Sequence, residues 1–167
     1  VAPNDAGAMA PLAIGAVLIG VVFAGGHVSG AHYNPAVTLA VFLRGKCAAS
    51  DVPGYIVAQC AGAVAAAMIV TFLKGNPAVT PMQIDVARAL VAEFLFTFAL
   101  CFVILNVAMS KGTIGNSFYG LAIGATVMAG AYSVGAVSGG AFNPAVALAA
   151  TLMGVFNPAN IWVYLVE

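Results

Sequence analysis

In a chain of 167 residues that is 63% hydrophobic and only 6% charged, there are too few polar groups to cover a soluble globule, so the composition is that of a protein embedded in lipid. Five basic residues offset five acidic ones, which leaves no electrostatic footprint for nucleic acid or an anionic surface. Cys47, Cys60 and Cys101 show no CxxC or CxxH spacing and two of them lie in apolar runs, so they read as thiols serving as small hydrophobes, with neither a metal site nor a disulfide framework expected.

Residues 1 to 7 are small and polar with Asp5 as their only charge, so no basic, short-cored secretion signal opens the chain and the first apolar segment is expected to be retained. That segment runs from about 8 to 28, long enough to cross a hydrocarbon layer of about 30 Å, which takes roughly 20 helical residues. The next apolar stretch, 35 to 44, is too short, because ten helical residues rise only about 15 Å. Asp51-Val52-Pro53 starts a second full span, 53 to 73, which Lys74-Gly75-Asn76-Pro77 ends. A third span, 84 to 109, is separated from a fourth, 117 to 137, by Lys111-Gly112 and Gly115-Asn116. The stretch 144 to 153 is again half-length and reaches the bilayer midplane and no further. The pattern predicts an all-α, multi-pass integral membrane protein.

The two short stretches belong to an internal repeat. Residues 28 to 41 read VSGAHYNPAVTLAV and residues 137 to 150 read VSGGAFNPAVALAA. Three full spans, an odd number, lie between the copies, so the second must enter the membrane from the opposite side. The spacing therefore predicts an inverted repeat, about 8–73 and 84–167, whose broken elements meet near the midplane within one channel domain covering 1–167.

Each copy places a helix breaker, Gly30 or Gly139, shortly before Asn-Pro-Ala, at Asn34, Pro35 and Ala36 and again at Asn143, Pro144 and Ala145. Asparagine is a preferred N-cap and proline is favoured at the first helical position, so Asn34 and Asn143 are expected to cap short helices starting at Pro35 and Pro144. Their carboxamide N–H groups then point into a path as donors. Two facing N-termini also bring two positive dipole ends together, each roughly half an elementary charge, a barrier to cations and protons. A single Asn-Pro is an ordinary helix start, and the chain contains two such controls. Asn76-Pro77-Ala78 and Asn157-Pro158-Ala159 lack the preceding Ser-Gly and flank full spans, so plain helix-start or turn roles are expected there.

These residues carry a family resemblance. SGAHYNPAVT at 29 to 38 resembles the first signature of the aquaporin, or major intrinsic protein, family, and SGGAFNPAV at 138 to 146 the second. Tyr55 with Gln59, Gly62 and Ala63 is similar to the family's third helix, Glu93 with Phe94 and Thr97-Phe98 to its fourth, and Trp162-Val163-Tyr164 to the opening of its sixth. The resemblance implies an aquaporin-like fold with two half-membrane re-entrant helices, in which the chain begins at the second helix and stops as the sixth starts. It also implies a homotetramer in membrane lipid, a water or small-neutral-solute substrate and no cofactor. Glu93, an expensive intramembrane carboxylate, is expected from the resemblance to accept hydrogen bonds from the second re-entrant loop, with Gln59 as a further loop support. Both histidines are placed at the first re-entrant loop. His32 resembles the family residue lining the pore near its cytoplasmic mouth, and His27 reads as a loop histidine satisfied by carbonyls.

The second signature ordinarily continues from Asn-Pro-Ala to an arginine of the selectivity filter, and here that position is Val146. Carrying the filter over by offset gives Ile14, Ala131, Gly140 and Val146, all small or aliphatic. A wider, more apolar constriction is expected, favouring solutes such as glycerol, urea or ammonia beside water. Arg44, Lys46 and Lys111 fall on one side and Lys74 and Arg88 on the other, a weak bias that leaves the cytoplasmic assignment of the first group to the resemblance.

Passive conduction of neutral solutes is the leading reading. An ion-coupled transporter also uses inverted repeats, but would show paired charges along its path, whereas Glu93 is the one ionisable group well inside a span. A non-conducting structural role is the alternative that loss of the filter arginine permits. An enzyme is least expected, because no nucleophile–base pair, metal cluster or phosphate-cradling glycine loop is visible.

Overall fold

A computed structural model describes residues 7–166; residues 1–6 of the polar opening segment, on which the expectation of no secretion signal rests, and Glu167 lie outside the described residues. After a 3₁₀ turn, Gly7–Met9, the elements are α1 (Ala10–Ser29), α2 (Pro35–Leu43), α3 (Val52–Leu73), α4 (Val86–Met109), α5 (Tyr119–Ser138) and α6 (Pro144–Leu152), followed by a 3₁₀ segment, Pro158–Tyr164. Every predicted span appears within a few residues of its expected bounds. The protein is an all-α membrane protein, with four helices among the described residues long and apolar enough to cross a bilayer. The two half-length helices have 9 residues each, about 14 Å of rise, roughly half the hydrocarbon thickness.

Few side chains of these spans are covered. Only 6% of the most apolar window of α3 and 11% of that of α1 is buried, whereas α4 and α5 reach 28% and 33%. Phe94, Phe98 and Phe102, one turn apart on α4, form an exposed ladder with ring centroids 6.4 and 6.2 Å apart. In water such a face would be an aggregation patch; against acyl chains it is ordinary surface.

α5 packs between α1 and α4, the short α2 lies against α3 and α4, and α6 lies against α3 and the terminal 3₁₀ segment. The α1–α5 crossing is close because both helices carry glycine where they meet. A Cβ on Gly124 would fall 2.6 Å from the Gly15 carbonyl oxygen, and one on Gly15 would fall 2.8 Å from that of Gly124. Small residues at a crossing let membrane helices approach backbone to backbone, where van der Waals contact must supply what hydrophobic exclusion cannot.

The two control motifs behave as local punctuation. Asn157 caps the terminal 3₁₀ segment by accepting from the Ala159 N–H at 3.0 Å. Asn76, at φ +54°, turns the chain after α3. Trp162-Val163-Tyr164, expected to open a sixth span, lies in 3₁₀ and not α geometry here.

Candidate functional site

The two loops that lead into α2 and α6 have the same backbone shape. Gly30 and Gly139 end α1 and α5 in the left-handed region, at φ +71° and +94°, each donating its N–H to the carbonyl four residues back. The third and the first residue before each asparagine are also left-handed: Ala31 (+51°) and Tyr33 (+50°) in one loop, Gly140 (+65°) and Phe142 (+47°) in the other. Left-handed residues other than glycine are uncommon, and their occurrence at matching positions marks a conformation held in place by its surroundings.

These turns deliver both asparagines to one place. Asn34 Oδ1 accepts from the Ala36 N–H at 2.8 Å, and Asn143 Oδ1 accepts from the N–H groups of Ala145 at 2.9 Å and Val146 at 3.4 Å. Each carboxamide nitrogen then reaches across to the other loop. Asn34 Nδ2 donates to the Phe142 carbonyl at 2.7 Å, and Asn143 Nδ2 donates to the Tyr33 carbonyl at 2.9 Å. The two half-helices thus meet end to end, joined by a crossed pair of hydrogen bonds. A carboxamide carries two N–H bonds, so each asparagine commits one to the partner loop and keeps one for another acceptor. Both N–H groups of each asparagine are expected from the sequence to face a path; the cross-link leaves one on each.

Glu93 holds the second loop. It is 0% exposed, and its two oxygens accept from the Ser138 hydroxyl, from the Ala141 N–H at 3.2 Å and from the Phe142 N–H at 2.7 Å. Such donors have no other partner of this strength in a buried site. Sequence reasoning missed the further supports. Tyr164, buried and stacked on Phe156 at 4.5 Å, donates its hydroxyl to the Ser138 carbonyl. The repeated Ser-Gly pair was the signal for Ser138; nothing local marked Tyr164 as its partner.

The first loop is held by a neutral hub. Thr38 donates its hydroxyl to the Asn34 carbonyl at 3.1 Å, receives the Gln59 amide at 2.9 Å, and lies 3.2 Å from His32 Nδ1. Gln59 therefore supports the loop through the first turn of α2 and not by touching the loop backbone. His32 is stacked on Tyr55 at 4.5 Å, and Tyr55 donates to the Ser29 carbonyl at 2.8 Å. His32, Tyr33, Tyr55 and Gln59 line a cavity of about 770 Å³. His27 corrects the sequence reading: it sits in the last turn of α1, exposed, and not in the loop.

Of the four positions that the resemblance assigns to a filter, the structure brings two together. A Cβ on Gly140 would lie 3.4 Å from Ala131 Cα, so the second loop runs directly against α5 there. Val146, 48% exposed, stands in the first turn of α6, and Ile14, 39% exposed, lies on α1 next to the glycine crossing. None of the four carries a charge or a side-chain donor. Among the described residues, no group of three or more His, Cys, Asp or Glu is placed to hold a metal ion.

A family model described as major intrinsic protein matches residues 4–167. Aquaporin NIP1-4 of Oryza sativa subsp. japonica is 40% identical over 159 residues, covering 92% of this chain and 57% of that protein. Putative aquaporin NIP4-1 of Arabidopsis thaliana is 38% identical over 162 residues, covering 91% and 54%. Nodulin-26 of Glycine max is 38% identical over 161 residues, covering 90% and 56%. The chain thus spans about half the length of the curated relatives it matches.

Proposed function

The chain belongs to the major intrinsic protein family, and on that premise we propose that it forms a passive transmembrane channel for water and small uncharged solutes such as glycerol, urea or ammonia. The observation that carries the reading is the crossed pair of asparagine bonds, which fixes two helix N-termini and two spare N–H donors at one point. A neutral solute with a lone pair exchanges water for those donors, whereas a cation meets two positive dipole ends. Residues 8–73 and 84–167 act as the two halves of one channel domain, and four copies assemble as a homotetramer.

Ile14, Ala131, Gly140 and Val146 form the constriction in this proposal, wide and apolar because no arginine crosses it. His32 lines the path on the side of the first half-helix. A proton relay wants a chain of titratable groups, and Glu93 is instead surrounded by loop donors that occupy both its oxygens.

Stopped-flow light scattering on proteoliposomes tests the reading. The protein is expected to raise water, glycerol, urea and ammonia permeability above that of protein-free vesicles, with no accompanying proton current. Permeabilities equal to those of empty vesicles for all four solutes would leave the non-conducting structural role in its place.

A further inference from the structure

The carbonyl that holds Asn143 belongs to Tyr33, and the position of Tyr33 is set by a glycine on α1. The Tyr33 phenol lies along α1 with its hydroxyl donating to the Val21 carbonyl at 3.3 Å. It comes that close only because the next turn of the helix has no side chain at Gly25. A Cβ there would fall 1.8 Å from the Tyr33 hydroxyl oxygen and 2.9 Å from Cζ. The second half of the molecule repeats the device with different atoms: Phe142, whose carbonyl holds Asn34, seats its ring where a Cβ on Gly130 would be 2.6 Å from Phe142 Cε2. In both loops an aromatic residue in the left-handed region is thus pinned at its ring by a glycine notch and presents its carbonyl to the asparagine of the opposite repeat.

We infer that Gly25 is a positioning residue for Asn143: it admits the Tyr33 ring, the ring fixes the Tyr33 carbonyl, and the carbonyl orients the Asn143 carboxamide at the path. The inference rests on the channel reading. Its direction is opposite to that of a plain helix effect, since alanine is the better helix former and an indifferent site would gain stability from it. A methyl group at 25 displaces the phenol, and with it the Tyr33 carbonyl that accepts from the Asn143 carboxamide. A displaced acceptor weakens a hydrogen bond steeply with distance and angle.

The test compares the wild type, Gly25→Ala, Tyr33→Phe and the double variant in proteoliposomes, as water and glycerol permeability per folded protein. Gly25→Ala is expected to lower permeability on the order of tenfold, the scale of a misplaced orienting group. In the double variant the oxygen nearest the new methyl is gone and only the 2.9 Å approach to Cζ remains, so it should recover part of the loss. A Gly25→Ala protein that conducts like the wild type overturns the inference, as does a double variant that stays as low as Gly25→Ala. If Gly25→Ala does not accumulate folded, Tyr33→Ala removes the ring without adding bulk, and alanine already occupies this conformation at Ala31. Its permeability should fall likewise, and wild-type conduction by it would overturn the inference. Wild-type vesicles that do not conduct sink the channel reading and the inference together, whereas conducting wild type with indifferent variants sinks the inference alone.

Discussion

Glu93→Ala is expected to abolish permeability and to lower the thermal midpoint of the purified protein on the order of 10 °C. The substitution leaves the Ala141 and Phe142 N–H groups buried without their acceptor, and the Ser138 hydroxyl with only the Val134 carbonyl at 3.4 Å. Each orphaned donor costs about 1–3 kcal/mol around a side chain that is 0% exposed. The consequence travels to the path because the residue released is Phe142, whose carbonyl holds Asn34. Glu93→Gln is expected to fall between: its oxygen still accepts one of these bonds, while its N–H₂ faces a donor. Thermal unfolding of the detergent-solubilised protein, read beside vesicle swelling, checks both halves. Should Glu93→Ala melt with the wild type and conduct with it, the carboxylate is not the anchor of the second loop.

Val146→Arg is expected to change what passes more than how much passes. Val146 stands in the first turn of α6 with nearly half its surface open, so a longer side chain has room to extend without displacing the core. The guanidinium would introduce five fixed donors and a positive charge at a position that now carries no side-chain donor. Water fits and hydrogen-bonds such a group; glycerol and urea lose width. The glycerol-to-water permeability ratio should drop by on the order of tenfold or more, the range in which fitted pockets discriminate size. Unchanged ratios in the swelling assay would remove Val146 from the constriction.

Most of the architecture was legible in the sequence because the membrane makes length diagnostic. A run of twenty apolar residues and a run of ten have different fates in a layer about 30 Å thick, and that alone separated α1 from α2 and α5 from α6. The repeat then supplied orientation, and the Asn-Pro pairs the caps. Glu93 was visible as the one carboxylate well inside a span. Hidden from view were contacts between residues distant in the chain and chemically ordinary. Tyr164 and Ser138 are 26 residues apart, Gln59 and Thr38 are 21 apart, and no periodicity links either pair. The carboxamide cross-link was missed for a different reason. The expectation used the donors of Asn34 and Asn143 on the solute, without counting the loop carbonyls that left-handed Tyr33 and Phe142 turn toward them. His27, read as a loop histidine although the expected span reached residue 28, lies in the last turn of α1, which continues to Ser29 and terminates at Gly30.

The central claim is that a spare carboxamide donor of the joined half-helices faces the solute, and Asn143→Asp measures it most directly. Aspartate caps a helix as well as asparagine does, so α6 should persist. It has no N–H to offer, and it sets a negative charge against the positive end of the helix dipole. The half-buried side chain spares the substitution the full penalty of a buried charge. Proteoliposomes carrying the wild type should exclude potassium and protons, and those carrying Asn143→Asp should pass less water and leak cations. Equal water flux and equal cation exclusion in the two would show that the Asn143 carboxamide does not border the pathway.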